Sequence, residues 1–157
     1  MTGAMKAISM WQPWGSLWLS PNKRHETRHW QTKHRGRLLV HAAKKMVKDV
    51  GPDLDGILTD EFGHRWDVEL PVGAVIGMVD LLDCIPTEKI AAGFKFSLSE
   101  RIDKVCGDFD DGRFGWLRGT YWVFPQPIPY RGRQALFDVP LDVIADQVAA
   151  AREVIGA

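Results

Sequence analysis

Cysteine is scarce in this chain: Cys84 and Cys106 are the only two among 157 residues. Two thiols cannot build a disulfide framework, and their spacing makes no zinc signature. No apolar run approaches the roughly 20 residues that span a bilayer, so no membrane partner is expected. The first ten residues lack the apolar block of a secretory signal, and a reducing, cytoplasmic setting is the expectation. Internal repeats, low-complexity tracts, a phosphate-cradling glycine loop and a recognisable Ser-His-Asp or Cys-His order are all missing. What remains is a globular composition, 45% hydrophobic and 25% charged, at a length that fits one domain over residues 1–157.

Net charge is zero, but it is segregated. Residues 1–48 hold ten Lys or Arg against a single acid, Glu26; residues 49–111 hold five against fifteen acids; residues 112–157 hold five against four. A basic face that attracts polyanions follows if the first segment gathers in space, with the acidic middle available to a protein partner.

Lys6 to Met10 alternates as a short strand. Trp14, Leu17 and Trp18, after Pro13, have the spacing of a short helix with one aromatic face. From His25 to Trp30 a period of two puts Glu26, Arg28 and Trp30 on one side and His25, Thr27 and His29 on the other. Arg37–Ala42 reads as a strand, and the lysine-rich residues 43–50 begin with helix formers. Residues 51–69 and 93–111 read as insertions or long loops, with short helices near 54–62 and 97–106, the latter capped by Ser97 or Ser99. Residues 73–85 form the longest β-branched run, a buried strand, and residues 113–124 are aromatic strand material. The proline-spaced residues 125–129 predict an extended linker, followed by a polar turn at 130–134, a short strand over 135–139 and a helix from Pro140 to about Ile155. Irregular strands with short helices between them indicate an α+β fold.

Four blocks carry a family likeness: Ile8-Ser9-Met10-Trp11-Gln12-Pro13-Trp14; Lys23-x-x-Glu26-x-Arg28-x-Trp30; Arg35-Gly36-Arg37 running into Leu38–Ala42; and Gly112–Trp116 with the later Pro127–Gly132 and Leu136–Val139. In these the chain resembles the ASCH family of the PUA-like superfamily. The resemblance implies a curved β-barrel of about five to six strands, short flanking helices, a C-terminal helix, and a cleft beside the first helix lined by the lysine–glutamate–arginine motif. Activities in the family range from RNA association to removal of an acyl group from an acylated cytidine and cleavage of single-stranded RNA. In the amidohydrolase branch the motif's fourth residue is threonine, whereas this chain has Glu26, so that activity does not carry over. Pro21-Asn22 stands where the motif has glycine.

The expected site follows from these residues. Lys23 and Glu26, if catalytic, would supply a charge stabiliser and a base for amide or phosphodiester hydrolysis. Trp14, Trp30 and Trp116 offer faces on which a base can stack, Gln12 suits bidentate reading of a base edge, and Arg28, Lys33, Arg35 and Arg37 supply phosphate contacts. RNA or a nucleotide-like ligand is the expected partner. No cofactor is expected. No metal site is expected either, because His25 and His29, four apart on a strand, lie roughly 13 Å apart.

Overall fold

The computed structural model describes residues 3–95 and 97–156. Its first strand, β1 (Ala4–Gln12), leads through Pro13 into the short α1 (Trp14–Trp18). After a turn come β2 (His25–Arg28) and β3 (Gly36–Met46), then α2 (Pro52–Phe62) and α3 (Trp66–Glu69). The long strands β4 (Ala74–Pro86) and β5 (Phe114–Pro129) are separated by α4 (Thr87–Gly93) and α5 (Leu98–Val105). The chain closes with β6 (Phe137–Pro140), α6 (Leu141–Ala150) and β7 (Arg152–Val154). Among the described residues no helix is long and apolar enough to cross a membrane.

All seven strands join one sheet, in the order β2-β5-β4-β3-β1-β6 with β7 added on β5. Only β1 and β3 run parallel. The fold is α+β as expected, but the hydrogen-bonded path is open, with β2 and β6 at its two ends rather than closed as a barrel.

Strand alternation divides the core. Ile8, Met10, Leu38, Val40 and Ala42 pack with Trp18 and Trp116 in one cluster, while Ala7 and Leu39 join Phe137, Val139 and Ile144 in another. In β4 the parity changes: Ala74 and Ile76, then Val79 and Leu81, reach the first cluster. The irregular register around Gly77 makes the shift. A Cβ on Gly77 would sit 2.3 Å from the Trp122 carbonyl oxygen and 2.6 Å from Leu19, so only glycine lets the backbones approach there.

Three local expectations give way to tertiary pairing. Residues 43–46 continue β3 instead of starting a helix, because β1 and β4 already hold that strand's backbone and Gln12 pairs with Met46. Residues 125–129 belong to β5, which Ala74 and Val75 of β4 pair at Pro129 and Ile128. Prolines are tolerated here because neither β2 nor β7 reaches this stretch; β2 pairs at 114–117 and β7 at 121–123. The last helix stops at Ala150, and Arg152–Val154 turns back onto β5. The capping expectation at Ser97 holds: its hydroxyl accepts from the Glu100 N–H in a capping box.

The motif-poor segments 51–69 and 93–111 contribute α2, α3 and α5. Leu54, Leu58 and Trp66 pack with Leu17 and Cys106 in a third apolar cluster around α1. Arg118 fixes the other side of that helix. Its buried guanidinium donates to the carbonyls of Trp18 (2.8 Å), Ser20 (2.6 Å) and Gly119 (3.2 Å), the first being an acceptor that the end of α1 leaves without an intrahelical partner. Burial lowers its pKa to about 10, which leaves it charged at neutral pH. The turn from Ser20 to Lys23 is thereby held against the sheet.

Candidate functional site

A cleft of about 2010 Å³ opens along α1, β2, the end of β3 and the 130–135 loop. Six lysine and arginine side chains line it (Lys23, Arg28, Lys44, Arg113, Arg131 and Arg133) against two carboxylates, Glu26 and Asp108. Trp11, Trp14 and Trp30 supply aromatic surface, and Val50, Leu54 and Val105 bring the α2 and α5 regions into the wall.

The motif residues form one charged unit. Lys23 has no exposed surface; its Nζ donates to the Cys106 carbonyl at 2.5 Å and lies 3.3 Å from Glu26 Oε1. The other carboxylate oxygen, Oε2, accepts from Arg28 Nη1 at 3.2 Å. Glu26 is thus bracketed by two cations, one beneath the surface and one in the cleft. Lysine without a partner would not persist at this depth, and the carbonyl and carboxylate together meet its need for acceptors. Burial first, opposed by the Lys23 charge, raises the Cys106 thiol to about 11, so it stays protonated and is no nucleophile near neutral pH.

Beside this unit a buried pair holds β2 in place. Asp103 Oδ2 meets His25 Nδ1 at 2.6 Å, while Oδ1 accepts the backbone N–H groups of Arg24 (2.7 Å) and His25 (3.1 Å). Burial pushes the Asp103 pKa up, but the hydrogen bonds and charge from His25, with the two backbone donors, outweigh it and leave it lowered. Thr27 also reaches the cleft, contrary to simple alternation, and its hydroxyl accepts the Asp108 N–H at 2.9 Å. Arg113 Nη2 donates to the Thr27 carbonyl at 3.0 Å, and its Nε lies 3.5 Å from Asp108.

Of the residues singled out in the sequence, Trp14, Lys23, Glu26, Arg28 and Trp30 share the cleft. Arg28 lies over the Trp30 ring at 5.9 Å, and Trp30 meets Trp116 edge to face at 4.7 Å. Trp116 itself is fully buried, donating its Nε1–H to the Trp30 carbonyl at 3.3 Å; it supports the ring that lines the cleft. Gln12 is also buried. Its amide is spent on Ser16, through both Oε1 and Nε2, and on the Pro71 carbonyl, so it has no edge to offer a base. Lys33, Arg35 and Arg37 lie outside the cleft lining: Arg35 pairs with Asp83 at 3.3 Å, and Arg37 stacks over Trp122 at 4.9 Å.

Sequence reasoning missed Arg113, Arg131 and Arg133, and also Ser9 and His41, all in the lining. Arg113 and Arg131 sit in blocks that match the family and Arg133 lies just past one; their charge was the available signal. His41 and Ser9 are 32 residues apart, and only the parallel register of β1 and β3 makes them neighbours. Their hydroxyl–ring contact is 2.9 Å, and His41 Nε2 meets the Tyr130 carbonyl at 2.6 Å. Burial lowers the His41 pKa, with the Tyr130 hydrogen bond acting against it. Among the described residues no group of three or more His, Cys, Asp or Glu could hold a metal ion.

An α+β sheet carrying a lysine–glutamate–arginine cleft beside its first helix is the arrangement expected of an ASCH domain. The ASCH domain model matches residues 8–105, and the chain belongs to that family. Two curated relatives, activating signal cointegrator 1 of Homo sapiens and of Mus musculus, are 38% and 36% identical over 92 and 95 residues. Each match covers 55% of this chain but only 16% of the relative. Among solved structures, the ASCH protein of Zymomonas mobilis aligns with a TM-score of 0.55 at 14% identity, covering 94% of this chain and 96% of that one. A point mutant of the same protein gives 0.53 at 13% identity, over 94% and 99%. At such identity the likeness is one of fold.

Proposed function

We propose that residues 1–157 act as one ASCH-type, PUA-like unit that binds single-stranded or modified RNA, or a nucleotide-sized piece of it, in this cleft. The observation that carries the reading is the lining: six cations against two carboxylates, with indole rings between them. Glu26 is already neutralised by Lys23 and Arg28, so the remaining field is positive. Phosphates would meet Arg28, Arg113, Arg131 and Arg133, and an unpaired base would stack on Trp14 or Trp30. Lys33, Arg35 and Arg37 would add outer, screened attraction. No cofactor enters this reading, and a cytoplasmic setting suits it. Fluorescence anisotropy with labelled single-stranded and duplex RNA tests it. Preferential binding of the single strand, weakened by about 1.5–3 kcal/mol in Arg28→Ala, is expected; equal or absent binding of both would overturn it.

A second reading is a hydrolase acting on an acylated or modified nucleoside, or on single-stranded RNA. It is favoured by one observation, the 3.3 Å contact of Lys23 with Glu26 inside the lining. Mass spectrometry of cellular RNA and its nucleosides after incubation decides it: a deacylated nucleoside or new cleavage ends support a hydrolase, and unchanged RNA supports a reader. A protein partner, suggested by the name cointegrator that the curated relatives carry, would have the acidic 49–111 segment to use.

A further inference from the structure

The cleft holds a second polar centre that the lysine–glutamate–arginine unit does not use. Ser9 and His41 are direct partners in the parallel β1–β3 ladder, so their side chains leave the sheet on the same face. The contacts of His41 fix its tautomer. Nε2 lies 2.6 Å from the Tyr130 carbonyl, which only accepts, so Nε2 carries the hydrogen. Nδ1 is therefore an unprotonated acceptor, and at 2.9 Å it receives the Ser9 hydroxyl hydrogen. Phe137, edge to face at 5.9 Å, packs on the ring. A hydroxyl bonded to an imidazole, itself oriented by a third group, is the arrangement of an activated nucleophile.

Two further features bear on this pair. The chain passes it at Gly132, where a Cβ would stand 2.6 Å from His41 Cε1 and 2.9 Å from Ser9 Oγ; a bare Cα leaves the hydroxyl half-buried rather than capped. The flanking Arg131 and Arg133 and nearby Lys44 share the lining and are exposed. Burial also keeps His41 in its basic form at neutral pH.

We propose that Ser9 and His41 are a nucleophile–base pair for acyl transfer from a carboxylic ester that carries a negative charge. Ser9 Oγ attacks the ester carbonyl carbon while its proton passes to His41 Nδ1. As the tetrahedral oxyanion collapses, the C–O bond to the leaving alcohol breaks, and that oxygen takes the proton from His41. Water then attacks the acyl-serine, gives its proton to His41, and releases the carboxylic acid as the proton returns to Ser9. The arginines and Lys44 attract the anionic ester. This chemistry requires no RNA in the cleft.

A fluorophosphonate probe tests the pair directly, because it forms a stable Oγ–P bond as the P–F bond breaks and fluoride leaves. The expected result on the wild-type protein is a single adduct that peptide mapping places on Ser9. It should form about a hundredfold faster than on the same serine in unfolded protein, the scale of a positioned general base. His41→Gln should slow labelling by a similar factor. Absence of an adduct at Ser9, or a rate equal to that of the unfolded chain, overturns the proposal. Both readouts come from the wild-type chain and stand even if the variant fails to fold.

Discussion

Lys23, with no exposed surface, places its ammonium 3.3 Å from the Glu26 carboxylate and 2.5 Å from the Cys106 carbonyl. The lysine of the family motif therefore ties Glu26 of β2 to the end of α5 beneath the surface of the cleft. Removing Lys23 has two consequences at once, one for folding and one for the cleft.

Lys23→Ala should cost about 3–5 kcal/mol of stability, since it leaves Glu26 and the Cys106 carbonyl without their buried partner. Urea unfolding of the variant checks this. A change under about 1 kcal/mol would mean that the ion pair is better hydrated than its burial implies. For the same reason binding or activity is better probed through Arg28, which is partly exposed.

Acid should unfold the protein partly through Asp103. Its pKa is lowered in the folded chain from an ordinary value of 3.8, so its contribution is complete above that pH. The contribution disappears as pH falls through the lower folded value. Asp103→Asn should cost about 1.5–3 kcal/mol at neutral pH and flatten the acid limb of the stability curve. Unfolding series at neutral and at acid pH measure both; an unchanged acid limb would remove Asp103 from the account.

If RNA occupies the cleft, binding should weaken steeply with salt. Replacing both Arg131 and Arg133 by Ala should reduce the slope of log K against log salt by about 1.4, roughly 0.7 for each single-strand phosphate that an arginine had neutralised. Titrations across a salt series give this slope directly. An unchanged slope would place the phosphates elsewhere.

Gly77→Ala should destabilise by about 1–3 kcal/mol or more, as overpacking does. Its Cβ would meet a backbone oxygen at 2.3 Å, which no side-chain rotation can relieve. Thermal unfolding measures the effect, and a wild-type melting temperature would show that β4 and β5 can separate locally at no cost.

Much of the frame was legible because its signals are local. The β-branched run at 73–85 became β4, the tryptophan spacing after Pro13 became α1, and Ser97 capped α5. The motif spacing brought Lys23, Glu26, Arg28 and Trp30 to one cleft, although strand alternation does not explain it, since Thr27 and His29 line the same cleft. Residues 43–46 and 125–129 escape a local reading because helix preference and proline are weak signals that neighbouring strands override.

Gln12 and Trp116 lie in family blocks, yet both are buried and work on other protein groups, which spacing along the chain does not reveal. The same holds for the pairing of Lys23 with a carbonyl 83 residues away and of Ser9 with His41 across a parallel ladder. Sequence by itself pointed to the family and its cleft motif, through the resemblance that the four blocks carry, and to the α+β class, through the alternation of irregular strands with short helices. Tertiary structure alone decided which of the motif residues face solvent, which are spent on buried partners, and which distant polar groups meet. Burial and register are properties of the packed chain, and no single segment contains them.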